Sequence, residues 1–291
     1  MTIAFYGLRF EADFNPVVQA IFDGLQKRNT DLIIYEDFAE FLKGRIEFQS
    51  DYGTFKDHTD LKGVDCLISI GGDGTLLSTI HFVRDSEIPV LGVNAGRLGF
   101  LSHVSADQVA EAIEDLLDRK YSIDKRSLIK VSSSQQDFGE FPFALNEVTI
   151  HKKDTSSMVR IHTHLDDTYI NTYWADGLIV CTPTGSTAYS LSCNGPIVMP
   201  GSENFTITPI APHNLNVRPL VVPNKHKLTL RAEGREPNFL MSVDSVSHSV
   251  DANTEIIIEN AEFTLNLVNL EGRSFFNTIR NKLMWGIDRR N

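Results

Sequence analysis

Leu67-Ile68-Ser69-Ile70-Gly71-Gly72-Asp73-Gly74-Thr75-Leu76 is the stretch that decides the fold. Its opening run is apolar enough to be buried on both faces, as strands of parallel sheets are. Three glycines in four positions follow, and a helical pattern then runs over 76–83. A strand that turns through glycines into a helix is the repeating step of α/β folds. The flanking sequence repeats it. A short strand is expected at 3–6. Asn15-Pro16 opens a helix whose apolar face carries Val17, Ile21 and Leu25, with Pro admitted in the first turn. Further strands are expected at 32–35 and 89–93. Ser105 begins another helix at capping-box spacing to Gln108. Val109, Ala112, Ile113, Leu116 and Leu117 form its single apolar stripe. The expectation is a parallel, doubly wound sheet.

Beyond Leu117 the helical period almost vanishes. Short β-rich runs follow at 128–131, 145–150, 159–164, 169–173, 178–181, 227–231, 239–243, 255–258 and 263–267. Turn signals such as Asp166-Asp167, Glu233-Gly234 and Asp251-Ala252-Asn253 separate them. That grammar predicts a mainly-β, sandwich-like second domain. A helix is expected at 274–285. A chain of 291 residues at roughly 150 residues per domain also suggests two domains. The boundary is expected near 105–125. This gives an α/β domain at 1–115, a β-rich domain at 116–270, and a helical segment at 271–291 that packs back on the first domain.

Composition narrows the function classes. There are 27 Lys+Arg against 38 Asp+Glu, a formal charge of −11, with 42% hydrophobic and 22% charged residues. This is globular composition. No run approaches the ~18 apolar residues of a membrane helix. The N-terminus lacks a basic n-region, so no secretory signal is read. Three scattered cysteines, Cys66, Cys181 and Cys193, form no CxxC pair and read as reduced thiols of a cytoplasmic protein. The acidic balance argues against a nucleic-acid partner, and no membrane partner is expected.

Four segments carry chemistry. Gly71-Gly72-Asp73-Gly74 at a strand-to-helix junction lets the backbone approach an anion closely. A tight turn without ligand is the alternative, although a plain turn does not need three glycines around an acid. No Lys follows as in a Walker A loop, and no GxGxxG occurs. Gly92-Val93-Asn94-Ala95-Gly96-Arg97-Leu98-Gly99-Phe100 places a second glycine-rich turn after a strand. Arg97 there reads better as a solvated loop charge than as a phosphate contact. Thr182 to Ser192 holds six Ser/Thr residues, either donors to an oxygen-rich ligand or a polar loop with helix caps. It lacks the GxSxG elbow of a hydrolase. Asn146-Glu147 lies inside an apolar run, where a buried Glu is costly unless paired. A ligand-facing role and a cross-strand ion pair are both open. His162 and His164 read as same-face surface residues, and no Cys/His cluster forms a metal site.

Taken together, these strings resemble the NAD kinase family. Gly71-Gly72-Asp73-Gly74-Thr75 looks like its GGDGT motif, and Asn146-Glu147 like its NE pair. Thr182–Ser192 looks like its TPTGSTAYSLS segment. Gly92–Phe100 and Ile207-Thr208-Pro209-Ile210-Ala211-Pro212-His213 match GVNxGxLGF and ITPIxPH. GGDGT alone is shared with diacylglycerol kinases and 6-phosphofructokinases, but five strings in order are specific. Asn194 stands where a second glycine beside Gly195 is expected, and Asn tolerates the left-handed conformation. Asp244-Ser245-Val246 stands where many members read DG or DSQ.

The resemblance implies transfer of the γ-phosphoryl group of ATP to the 2′-hydroxyl of the adenosine ribose of NAD, giving NADP. It implies that Asp73 faces that hydroxyl and that Gly71, Gly72, Gly74 and Thr75 cradle the donor phosphates. NAD would be bound by Asp73, Gly74, Leu77, Phe100, Asn146, Glu147, Asp176, Thr187, Ala188, Tyr189, Ser192 and Ala211. Within that set Asn146 and Glu147 hold the diphosphate-ribose region. Thr187, Ala188, Tyr189 and Ser192 line the adenine and ribose pockets, and Leu77 and Phe100 are apolar walls. Asp176 and Ala211 are supplied to a site shared between subunits of a homo-oligomer, a dimer or tetramer. Mg²⁺ or another divalent cation is expected to arrive with ATP, without a metal cage of its own. A lipid kinase is the competing enzyme class, but it calls for a membrane-facing basic helix that is not found. A dinucleotide sensor without turnover is the non-enzyme alternative.

Overall fold

The computed structural model describes residues 1–96, 99–102, 104–153, 158–272 and 274–286. The chain divides into two compact units. One comprises Met1–Lys125 with the segment from Leu265 onward, the other Arg126–Thr264.

In the first unit, β1 (Thr2–Gly7), β2 (Asp31–Tyr35), β3 (Gly53–Phe55), β4 (Cys66–Gly71) and β5 (Val90–Asn94) form a parallel sheet in the order β3-β2-β1-β4-β5. The order reverses between β1 and β4. Ligands of open α/β sheets bind at such a reversal, outside the carboxyl ends of the strands. Helix α1 (Asn15–Gln26) carries its Pro in the first turn, as expected, and buries Val18, Ile21, Phe22 and Leu25, with Val17 at the rim. Helix α2 (Glu36–Leu42) abuts β2 directly, with Tyr35 in the capping position and no side-chain cap. No local start signal therefore announces it in the sequence.

The helix expected at 76–83 is two helices, α3 (Asp73–Ser78) and α4 (Ile80–Val83). Thr79 separates them. Its hydroxyl donates back to the Leu76 carbonyl at 2.6 Å, the local bond by which Thr competes with helix continuation. Ser105 also departs from expectation. Its hydroxyl donates to Asp107 and Gln108 side chains and caps nothing. The chain makes a 3₁₀ turn before α5 (Val109–Leu117), which buries Val109, Ala112, Ile113 and Leu116.

The second unit contains β6 (Tyr121–Ser132, entering from the first), β7 (Phe143–Ala144), β8 (Glu147–His151), β9 (Val159–Leu165), β10 (Thr168–Ala175), β11 (Gly177–Cys181), β12 (Asn204–Ile210), β13 (Leu220–Pro223), β14 (Leu228–Glu233), β15 (Asn238–Val243), β16 (Val246–Asp251) and the first part of β17 (Glu255–Leu270). A six-stranded antiparallel sheet runs β13-β12-β11-β8-β15-β16. Its inner face buries Val148, Ile150, Leu178, Val180, Phe205, Ile207, Met241 and Val243. These pack with Val159, Ile161, Leu228, Leu230, Ile256 and Ile258 of β9, β14 and β17. This is the sandwich the alternation predicts.

Residues directly opposite in antiparallel strands share a face. Registers Cys181↔Glu147, Cys181↔Thr206, Ile179↔Thr149 and Ile179↔Thr208 therefore put the other side of this sheet in polar hands. Residues 182–195, with the short helix α6 (Tyr189–Ser192), bond to this side through Ser190 and Thr208.

The runs expected at 255–258 and 263–267 are one strand, β17. The interval 259–262 does not break it: Asn260 accepts from Asn224 at 3.0 Å and the strand continues. Its last residues belong to the first unit, where Leu267 pairs in parallel with Val90. Helix α7 (Phe275–Leu283) then closes the chain, capped by the Ser274 hydroxyl accepting from the Asn277 N–H.

Phe22 is fully buried, with ring centroids 4.5 Å from Phe5 and 4.9 Å from Phe48. Phe22→Ala is expected to cost about 3–5 kcal/mol, measured by denaturant unfolding. A loss below about 1 kcal/mol would contradict this account of the core.

Candidate active site

At the carboxyl end of β4, Gly71 takes φ +155°. A Cβ there would lie 2.3 Å from Thr75 Oγ1, so glycine is obligatory. Gly72 precedes α3, and its carbonyl accepts from the N–H groups of Thr75 and Leu76, both at 3.1 Å. Gly72 and Gly74 differ from Gly71. An added Cβ at either would meet nothing within 4 Å. Among the described residues no packing explains these two glycines.

Asp73, the first residue of α3, is half-buried, and its carboxylate grips a second segment. Oδ2 accepts from the Phe100 N–H at 2.7 Å, and Oδ1 accepts from Leu101 and Ser102, both at 3.0 Å. A Cβ on Gly99 would fall 1.8 Å from Asp73 Oδ1, and one on Gly92 would fall 2.9 Å from Ser102 Cα. The two glycine-rich strings of the first unit are thus one construction, joined by a carboxylate. An ionised carboxylate offers about four acceptor sites. Among the described residues three are filled, and Oδ2 retains one. Leu77 and Phe100 are half-buried, and Lys282 Nζ sits 4.7 Å from the Phe100 ring centroid. Arg97, with Leu98, lies outside the described residues.

The second unit repeats the device. Asp244 sits in the two-residue turn between β15 and β16 at φ +48°. Its Oδ2 accepts from Leu145 at 2.7 Å, and Oδ1 accepts from Asn146 and Glu147, both at 2.9 Å. Its own N–H donates to the Glu147 carbonyl at 2.9 Å. From the other side, Thr182 N–H donates to the Asn146 carbonyl at 2.9 Å and Thr182 Oγ1 to the Leu145 carbonyl at 2.5 Å. A Cβ on Gly185 would lie 2.1 Å from the Asn146 carbonyl oxygen. The Asn146-Glu147 backbone is clamped between Asp244 and the 182–185 turn.

Among the described residues Glu147 has no ion-pair partner, which removes the cross-strand ion pair as an explanation of it. Its Oε2 is fully buried without a hydrogen-bond partner. Burial pushes this carboxyl up to about 8, the neighbouring Asp244 adds to the rise, and the Tyr189 backbone N–H opposes it. Burial also raises Asp244, to about 6, against the pull of its three amide donors.

The hydroxyl-rich segment corrects one alternative. Ser186 donates to the Pro183 carbonyl at 2.6 Å and accepts from the Val198 N–H at 3.0 Å. Thr187 donates to Thr184 at 3.2 Å. Ser190 pairs with Thr208 at 2.9 Å, and Thr184 accepts from the buried Arg126 at 3.3 Å. Most of these hydroxyls build the turn and do not await a ligand. Ala188 is half-buried, while Tyr189 and Ser192 are exposed, and the Tyr189 ring stacks on His151 at 5.7 Å. Asn194 takes φ +63°, so the turn survives without glycine there. Asp176 pairs with Lys152 at 2.5 Å, and its N–H donates to the Ile210 carbonyl, next to the exposed Ala211.

The first unit therefore brings together Gly71, Gly72, Asp73, Gly74, Thr75, Leu77 and Phe100. The second groups Asn146, Glu147, Thr187, Ala188, Tyr189 and Ser192, with Asp176 beside Ala211. Asp244 was visible in the sequence only as a departure from a pattern. The signal that marks it is an acid in a two-residue hairpin turn, where Asp readily takes the left-handed conformation.

A glycine-lined strand-to-helix turn at the order reversal of a parallel sheet defines an α/β protein of the nucleotide-binding class. The comparisons specify it further. Residues 27–121 match the ATP-NAD kinase N-terminal domain and residues 145–270 the ATP-NAD kinase C-terminal domain. The chain is 44% identical over 292 residues to the NAD kinase of Cytophaga hutchinsonii, covering all of both chains. It is 44% identical over 294 residues to that of Flavobacterium psychrophilum, again over both full lengths. A crystal structure of yeast NADH kinase complexed with NADH superposes with a TM-score of 0.89 over 99% of this chain and 89% of that one. At 22% identity it speaks for the fold. An NAD kinase from Archaeoglobus fulgidus in complex with ATP gives 0.73 at 25% identity, over 98% and 99%. The chain belongs to the NAD kinase family, enzymes that phosphorylate NAD with ATP. A kinase of this kind works with a divalent cation. Among the described residues no helix is long and apolar enough to cross a membrane.

Gly185→Ala is expected to cost about 1–3 kcal/mol through overpacking on the Asn146 backbone. Denaturant unfolding reads it, and an unchanged stability would show that the turn does not pack against Asn146.

Proposed function

We propose that this kinase carries its reaction on Asp73, with the adenosine ribose 2′-hydroxyl of NAD at the remaining acceptor site of Oδ2. The supporting observation is the carboxylate's fixed position, set by the amides of Phe100, Leu101 and Ser102. A carboxylate is a far weaker base than a ribose alkoxide, so Asp73 does not remove the proton in advance. Phosphoryl transfer passes through a loose transition state in which the attacking hydroxyl becomes acidic late. An acceptor already in place orients the hydroxyl and takes its proton at that stage, assistance typically worth ~10²–10⁴-fold.

Gly71, Gly72, Gly74 and Thr75 face the donor phosphates in this reading. The empty space over Gly72 and Gly74 supports it. Mg²⁺ is the cation of choice and comes as a substrate on the triphosphate. In the second unit Asn146 and Glu147 bind the diphosphate-ribose region. Thr187, Ala188, Tyr189 and Ser192 contribute to the adenine and ribose pockets. Asp176 and Ala211 serve a neighbouring subunit's site in a homo-oligomer.

Asp73→Asn is expected to lower kcat by at least ~10²-fold with a modest change in KM. Unchanged turnover would remove Asp73 from the reaction. Gly74→Ala tests the cradle separately. In the first turn of α3, Ala is favoured over Gly by about 0.5–1 kcal/mol, so Tm is expected to hold or rise while KM for ATP rises about tenfold or more. An unchanged KM for ATP would place the phosphates elsewhere.

A further inference from the structure

The second unit holds two neighbouring carboxyl groups, of which Asp244 raises the proton affinity of Glu147, and their surroundings treat them differently. Asp244 has three backbone N–H groups on its two oxygens. All three donors favour the ionised form of Asp244, and protonation would weaken the charge-assisted bonds they make. Glu147 has the opposite surroundings. Its Oε2 is buried and unpartnered. Among the described residues the groups that face it are Asp244 from the β15–β16 turn, the Cys181 thiol from β11, and Tyr189 and Cys193 at the two ends of α6. None of these is a cation. Cys181 and Cys193 are themselves pushed upward, so they stay neutral thiols. A single backbone N–H, that of Tyr189, favours the ionised form.

We infer that Glu147 meets its ligand as a neutral carboxylic acid and donates the hydrogen bond to an acceptor oxygen of the dinucleotide, while Asp244 stays ionised as the clamp of the 145–147 backbone. The inference rests on the reading that this unit binds NAD, and it changes the chemistry of that contact. Protonation gives a carboxyl whose Oε2 has no donor a hydroxyl of its own to donate. One negative charge is removed from the path of an anionic diphosphate, in a chain already carrying −11. The shift of Glu147 to about 8 agrees. Its sign fixes the pH window. The donor is present at neutral pH and is lost as pH rises through about 8, so binding weakens toward alkali.

The first measurement needs no NAD. ¹³C NMR of ligand-free protein labelled at the glutamate side-chain carboxyl is expected to show one resonance that titrates above neutrality and is missing in Glu147→Gln. The second is calorimetric titration with NAD from about pH 6 to about pH 10. Wild-type Kd is expected to climb by up to about tenfold per unit above the titration. Glu147→Gln, which keeps a donor but cannot ionise, is expected to lose that climb. Glu147→Ala is expected to bind weakly at every pH. A Glu147 resonance titrating in the ordinary carboxylate range, with NAD still bound, overturns the donor role alone. Failure of NAD to bind the wild type at any pH overturns the ligand reading and the donor role with it. A Kd climb that persists in Glu147→Gln assigns the proton to another group and overturns the inference.

Discussion

The organising interaction is a carboxylate that accepts three successive backbone amides. Asp73 does this for 100–102, and Asp244 does it for 145–147. Buried amides must find acceptors, and a charged acceptor makes each bond short and strong. Three such bonds contribute about 1.5–3 kcal/mol apiece. Desolvating a carboxylate costs several kcal/mol, so the net gain in stability is small. What the arrangement secures is position. Each loop is fixed relative to the acid before any ligand arrives, and fixed geometry lowers the barrier of a transfer reaction.

The glycines follow from the same constraint. Gly99 is glycine because the Asp73 carboxylate occupies the place of its Cβ, and Gly185 because the Asn146 carbonyl does. Gly71 answers to its own φ and to Thr75. Among the described residues Gly72 and Gly74 answer to no packing constraint, and the proposed donor phosphates would supply one.

Much of this was legible in the sequence. Runs such as Leu67–Ile70 are buried by composition, and the stripe of α5 by period, so strand and helix identities followed from local pattern. The NE pair and the glycine strings stood out because polar or flexible residues interrupt apolar runs. What local pattern does not contain is partnership over long separations. Asp73 bonds residues 27–29 positions away, and Asp244 bonds residues 97–99 positions away. No window reveals either. Likewise the hydroxyls of 182–190 look like ligand donors until their partners at Leu145, Val198 and Thr208 are seen. The break at Thr79 and the unbroken β17 escape local pattern for a related reason, since one back-bonded hydroxyl and one asparagine pair decide them.

The central claim is that the Asp73 carboxylate serves the protein backbone and the substrate at once. A crystal structure with NAD and a non-hydrolysable ATP analogue tests it directly. The account predicts the adenosine 2′-oxygen within ~3 Å of Asp73 Oδ2, with the bonds from Phe100, Leu101 and Ser102 retained. A 2′-hydroxyl bound away from Asp73, or a carboxylate that must release those three amides to reach it, would contradict it.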